Sequence, residues 1–174
     1  MKIGDLESTS KGRYLLNTWL MPRMASILKT GEEVLFVGTD TNWDYKPFFW
    51  NPGKQCPYIT IDIAERYKPD LVADIQNCPQ IPDNKFSLVI MIGVHEFLDH
   101  IEQAYSEIHR ILVPNGYLLI AFPGKGYYPD NRGVAFNDIQ TILSHYRTLE
   151  TYCVWEGNQE PNSVIVLAQK KGGE

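Results

Sequence analysis

Several side chains able to do chemistry sit where short apolar runs end. Asp62 lies at the end of the run from Tyr58 to Ile63, Asp74 follows Leu71 to Ala73, and Asp40 comes just after Gly38 and the run Val34 to Val37. A carboxylate only accepts hydrogen bonds, and one carboxylate can take two from a ribose diol. It repels phosphate. Converging acids of this kind suit a sugar-and-base ligand without phosphates. His95 and Glu96 follow the run Phe86 to Ile92 and Gly93. His95 is the best general base of the set, because its ordinary pKa is near neutral. Asp62 and Asp74 could equally cap the segments that follow them, and His95 could simply begin a helix.

These residues need a scaffold. The runs Val34 to Val37, Tyr58 to Ile63, Leu71 to Ala73, Phe86 to Ile92 and Tyr117 to Phe122 read as strands. FSLVIMI and YLLIAF are apolar on both faces, as in the middle of a sheet covered by helices on each side. From Arg13 to Lys29, apolar residues recur at three- and four-residue spacing, which predicts a helix with Pro22 kinking or dividing it. His100 to Leu112 predicts a helix whose buried stripe is Ile101, Ala104, Tyr105, Ile108, Ile111 and Leu112, stopped by Pro114, Asn115 and Gly116. Asp138 to Tyr146 reads as a further helix. Thr148 to Glu156 and Ser163 to Gln169 form an antiparallel hairpin. The expected fold is α/β: a doubly wound, mostly parallel sheet with an antiparallel C-terminal edge hairpin. Residues 1–174 form one domain, with a helical segment over 1–30 after a loose lead-in and an α/β core over 31–170. In such sheets, ligands lie outside the carboxyl ends of the strands, which is where the acids fall.

Bulk composition narrows the field. The chain has 174 residues, 44% hydrophobic and 21% charged, with a net charge of −5. That is ordinary globular usage, and the acidic balance argues against a nucleic-acid partner. Cys56, Cys78 and Cys153 are too few and too scattered for a disulfide framework or zinc site. HEFLDH misses the zinc-helix pattern HExxH by one residue, so no metal is expected. His109 has no expected role. With no leader and no membrane-length apolar run, the expected location is cytoplasmic.

The block DLVADIQNCPQIPDNKFSLVIMIGVHEFLDHIEQAYSEIHRILVPNGYLLIAFP resembles the class I S-adenosylmethionine-dependent methyltransferases. The likeness runs from about Glu33 to Phe122 and extends to the hairpin beyond. It implies a Rossmann-like methyltransferase fold and S-adenosylmethionine as cofactor. It implies that Gly38 lets the backbone approach the methionine part and that Asp62 accepts both ribose hydroxyls. Asp74 would accept from the adenine amino group, Ile75 would pack on the ring, and Ile92 and Gly93 would line the sulfonium end. Thr39 and Ile63 complete the cofactor-side set, and Asp40 would receive the ligand's ammonium. The opening loop departs from the family: Gly38 stands alone where glycine, x, glycine, x, glycine is usual. Aspartate and asparagine are the next most tolerant of left-handed backbone, so Asp40 and Asn42 would hold a similar turn.

The aromatic segment with Trp43, Tyr45, Phe48, Phe49 and Trp50 packs the first crossover; the sharper alternative is that Trp43 or Tyr45 covers the ligand. Pro123 to Gly133 reads as a mobile acceptor-side loop, with Tyr127, Tyr128 and Arg132 as substrate contacts. His95 and Glu96 are the catalytic candidates. The expected reaction is methyl transfer to a small-molecule or glycan-like acceptor, in a pocket that is open or closed by the N-terminal helix or a partner subunit, as in a homodimer. The alternative is a non-catalytic protein of the same fold serving as an interaction module. A nicotinamide oxidoreductase would require the fuller glycine fingerprint.

Overall fold

The computed structural model describes residues 2–6, 9–39, 45–130, 132–157 and 159–172. In chain order the elements are β1 Lys2–Leu6, α1 Thr9–Leu15, a π turn Leu16–Leu20, α2 Met21–Ile27, β2 Glu33–Val37, α3 Lys46–Phe49, β3 Trp50–Asn51, β4 Lys54–Gln55, β5 Tyr58–Asp62, β6 Leu71–Val72, β7 Phe86–Ile92, α4 Ile101–Ile111, β8 Leu112–Pro123, α5 Ile139–Ile142, β9 Tyr146–Val154 and β10 Ser163–Lys170. Eight strands form one sheet in the order β1-β9-β10-β8-β7-β2-β5-β6. β7, β2, β5 and β6 run parallel with β8. β10 is inserted antiparallel between β8 and β9.

β7 is buried along its whole length, as an apolar run with no polar face requires. Its alternate side chains feed two cores. Leu88, Ile90 and Ile92 meet Leu16, Leu20, Met21 and Met24 of the N-terminal helix. Val89 and Met91 meet Ala104, Tyr105, Ile108 and Ile111 of α4. The period of two in a strand is what separates these layers.

Four expectations are corrected. The loose lead-in is in part β1, which pairs parallel with β9 from Lys2↔Glu150 to Leu6↔Val154; it covers a strand edge that would otherwise be open. Pro22 does not divide the N-terminal helix. It stands in the first turn of α2, which begins at Met21 directly after a π turn, and Met21 donates back to the Leu16 carbonyl. The wider turn accommodates the proline's missing donor. The helix expected over Asp138 to Tyr146 is a 3-10 turn and one α turn, because the chain enters β9 already at Tyr146. Ile101 of the expected buried stripe is 37% exposed, since it opens α4 at the solvent end.

The crossover after β2 is equally short. It consists of α3 and the small β3–β4 hairpin, whose turn is held by Asn51 Oδ1 accepting from Gly53 N at 2.9 Å. Tyr45 is 1% exposed and meets Phe36 edge-on at 5.8 Å, so it packs the core instead of covering a ligand. Trp43 lies outside the described residues, as do Asp40 and Asn42. Among the described residues, no helix is long and apolar enough to cross a membrane.

Candidate active site

The tips of β2, β5, β6 and β7 surround a cleft of about 390 Å³. Gly38, Asp62, Ile63, Asp74, Ile75, Ile92 and Gly93 all line it. Gly38 ends β2 with φ +85°, and a Cβ there would lie 2.4 Å from Val94 Cγ2. Both the left-handed backbone and the contact require glycine. Thr39 then donates to Asp62 Oδ2 through its backbone N at 2.9 Å and its hydroxyl at 3.2 Å. Asp62 Oδ1 accepts from Ala64 N at 2.8 Å. Two carboxylate oxygens offer about four lone-pair sites. The three local donors therefore leave one site open, and rotation of the Thr39 hydroxyl frees a second.

Asp74 is engaged in a similar way. Its Oδ1 accepts from Gln76 N at 2.8 Å, and the Gln76 side-chain amide donates to both oxygens. Gln76 Oε1 in turn accepts from His100 N at 2.5 Å. The segment after Asp74 is pinned to α4. Arg110 donates to the carbonyls of Cys78 and Ile81 and pairs with Glu107, which accepts from Cys78 N. Arg110 holds the Glu107 carboxyl down at about 2. Around the mouth, Ile63 and Phe97 are 72% and 71% exposed.

Ile92 and Gly93 also border a second cavity of about 260 Å³. Gly93 has φ +68°, with nothing within 4 Å of where a Cβ would sit. The second cavity is walled by Gly12, Arg13 and Leu16 from the N-terminal helix, by the end of β8, and by Val154, Asn162 and Ile165 of the hairpin. Glu96, Tyr127 and Tyr128 line it as well. The loop carrying the tyrosines is hydrogen-bonded to its neighbours. Gly124 N donates to the Asn162 carbonyl at 2.9 Å and Gly126 N to the Pro161 carbonyl at 3.0 Å. Arg132 stays outside the second cavity; it pairs with Asp130 and lies 4.3 Å over the Tyr128 ring.

His95 and Glu96 part company. His95 is 4% exposed, with Nδ1 2.9 Å from the Tyr105 hydroxyl and its ring against Phe122. Burial pushes its pKa down to about 4, so it is neutral near pH 7. It lines neither of the two cavities and packs on the α4 side of the sheet. Glu96 lines the second cavity and also a neighbouring hollow shared with His95 and Arg132; its Oε2 is buried and, among the described residues, has no hydrogen-bond partner. Burial raises its pKa, and its own backbone N–H and nearby Arg132 partly offset the rise.

The model of the methyltransferase domain family matches residues 55–120, the stretch that supplies Asp62, Asp74 and Gly93. Over these residues the chain is similar to the methyltransferase domain family. Solved structures repeat the fold. A SAM-dependent methyltransferase from Methanosarcina mazei matches with a TM-score of 0.70 and 13% identity, over 87% of this chain and 98% of that one. The N-methyltransferase NodS from Bradyrhizobium japonicum WM9, in complex with S-adenosylhomocysteine, matches at 0.68 and 14% identity, over 91% of this chain and 86% of that one. A SAM-dependent methyltransferase from Aquifex aeolicus matches at 0.65 and 19% identity, over 86% of this chain and 89% of that one. Identities this low speak for the fold alone. No curated protein matches the chain.

Sequence reasoning found the strand-tip residues and missed those that reach the cleft from elsewhere. Gln76, Arg66 and Tyr67 line the first cleft without having been singled out. Gln76 follows Asp74 closely enough to have been considered. Leu16, Asn162 and Ser163 of the second cavity carry no local signal, because only the sheet order brings them to the site.

Proposed function

We propose that the first cleft holds S-adenosylmethionine and that the second cavity holds a small-molecule acceptor, with Ile92 and Gly93 at the point of transfer. The observation that carries this reading is the shared wall: two cavities of ligand size meet at one left-handed glycine whose open side bears no side chain. The chain's residues fit the cofactor. Asp62 has accepting capacity left for a ribose hydroxyl, and gains more when Thr39 turns. Asp74 and Gln76 present acceptor and donor groups to the edge of a base. Ile75 gives an apolar floor, and exposed Ile63 and Phe97 gain a partner if a flat ring lies between them. No phosphate site is needed, which agrees with acids at two tips.

When bound, S-adenosylmethionine supplies an electrophilic methyl group on a sulfonium. The protein's contribution is alignment. The strand tips fix one reactant, and the docked loop, hairpin and N-terminal helix fix the other. His95 holds the turn after β7 by packing on Tyr105 and Phe122.

Calorimetry with S-adenosylmethionine and S-adenosylhomocysteine tests the cofactor half. Both should bind with one-to-one stoichiometry. Asp62→Asn removes the charge and sets an amide donor against one of the two backbone N–H groups that Asp62 now accepts from, those of Thr39 and Ala64, so affinity should fall by at least about tenfold, the scale of one hydrogen bond to a charged group. Unchanged affinity in the variant would remove Asp62 from the site, and absence of binding to the unaltered protein would leave only the fold.

A further inference from the structure

We infer that the second cavity accepts a small, mainly apolar molecule through a hydroxyl group, and that Glu96 takes the hydroxyl proton as the oxygen is methylated. This rests on the methyl-transfer reading above and specifies its acceptor.

The argument starts from an unmet need. A buried polar atom without a partner is costly, and among the described residues Oε2 of Glu96, a residue lining the second cavity, is such an atom. A carboxylate can only accept, so the missing partner is a donor. The other walls narrow the frame that carries it. Leu16, Ile92, Ala121, Phe122, Val154 and Ile165 offer apolar surface, which would strand the many hydroxyls of a sugar. At about 260 Å³ the cavity is just below the usual range of ligand pockets, ~300–1,000 Å³, so its occupant is small. Tyr127 and Tyr128, edge-on at 4.7 Å, provide aromatic surface at the rim.

Charge narrows the functional group. Glu96 repels a carboxylate or phosphate acceptor. It would hold an amine as its ammonium ion, which has no lone pair to attack with. A neutral hydroxyl both donates to Glu96 and keeps its lone pairs. The titratable and charged groups around Glu96 are Arg132, Tyr127 and Tyr128 from the loop after β8, Arg13 from α1, and His95 and Asp99 from its own segment. His95 is neutral and bonded to Tyr105, which leaves Glu96 as the base. Burial makes it a stronger base than an ordinary carboxylate.

The step balances. The hydroxyl oxygen's lone pair forms the new bond to the methyl carbon, the carbon–sulfur bond breaks, and its electron pair stays on sulfur as a neutral thioether. The O–H proton passes to Glu96, which returns it to water after the product leaves.

The test uses the full chain and compounds of similar frame, each as hydroxyl, basic amine and carboxylate: 4-methylphenol with 4-methylbenzylamine and 4-methylbenzoate, and 2-naphthol with 2-naphthylmethylamine and 2-naphthoate. Binding is followed by NMR shifts of the Gly93 and Ala121 amides, and turnover by S-adenosylhomocysteine formation. We expect at least one hydroxyl compound to shift both amides and to be methylated, with its amine and carboxylate partners at least about tenfold weaker. Glu96→Gln should lower kcat by about 100-fold or more, the usual scale for a general base, with cofactor affinity unchanged. In the unaltered protein kcat/KM should fall on the acid side through a pKa above that of a free glutamate, and Glu96→Gln should lose that limb. Should the cofactor bind while no hydroxyl compound shifts the amides, or an amine be preferred, the acceptor assignment fails alone. Should the cofactor itself not bind, the underlying reading fails with it. Full activity in Glu96→Gln would remove Glu96 as the base.

Discussion

The two cavities are built in different ways. The first is local in sequence: each functional group stands at the carboxyl end of its own strand, and neighbouring parallel strands bring the tips together. The second draws on the N-terminal helix, the turn after β7, the loop after β8 and the β9–β10 hairpin. The first presents oxygens already bonded to backbone N–H groups, so its shape is set before a ligand arrives. The second has in its lining one carboxylate oxygen that is unbonded among the described residues. A preorganised cleft suits a ligand common to a fold, and a cavity assembled from distant segments can change its acceptor without disturbing that cleft.

The wall between them gives the sharpest way to break this comparison. Gly93→Leu puts a side chain where Gly93 now leaves open space, and forces a branched residue to φ +68°. Turnover should fall on the order of 100-fold, as expected for misaligned reactants. If turnover in the variant equals that of the unaltered protein, the two cavities do not communicate at Gly93.

An effect of middle size separates His95 from Glu96. The His95 pKa falls from 6.5 to about 4 through burial. An unfolded histidine takes up a proton below about pH 6.5 while the folded one does not. The stability linked to His95 is therefore complete above pH 6.5 and is lost as pH drops to about 4, a change of about 3 kcal/mol. Denaturant melts at pH 7 and pH 4 should show this loss. His95→Gln, which can still bond Tyr105, should show a smaller one. The same variant should keep the acid limb of the rate profile, because that limb belongs to Glu96. Loss of the limb in His95→Gln would return the catalytic role to the histidine.

The smallest effect sharpens the first cleft. Phe97 is 71% exposed, so Phe97→Ala should change stability by no more than about 0.5 kcal/mol. If a bound ring covers it, cofactor affinity should weaken a few-fold in calorimetry. A large loss of stability would mean that Phe97 packs within the protein.

The contrast between the cavities also explains what the sequence could reveal. Asp62, Asp74, Gly38 and Gly93 were legible because a strand announces its own end through apolar residues followed by an acid or glycine. Glu96 was visible for the same reason, but its facing was not: only the packing of Tyr105 and Phe122 decides that His95 turns inward and Glu96 toward the cavity. Leu16 and Asn162 were illegible as site residues. Their roles depend on β10 entering between β8 and β9, and local periodicity does not tell a strand which neighbour it will choose. β1 was hidden for the same reason. KIGDL is a poor strand by composition and pairs because β9 leaves an edge to cover. The crossover after β5 is a single 3-10 turn, Glu65–Tyr67, since a regular βαβ helix is only the usual way to return a chain to a parallel sheet.

The most direct measurement is a crystal structure of the protein with S-adenosylhomocysteine. The account predicts the ribose at Asp62, the base between Ile75 and the Ile63–Phe97 rim, and the sulfur at Gly93 with the second cavity open beyond it. A ligand seated elsewhere, or with its sulfur turned away from that cavity, would contradict it.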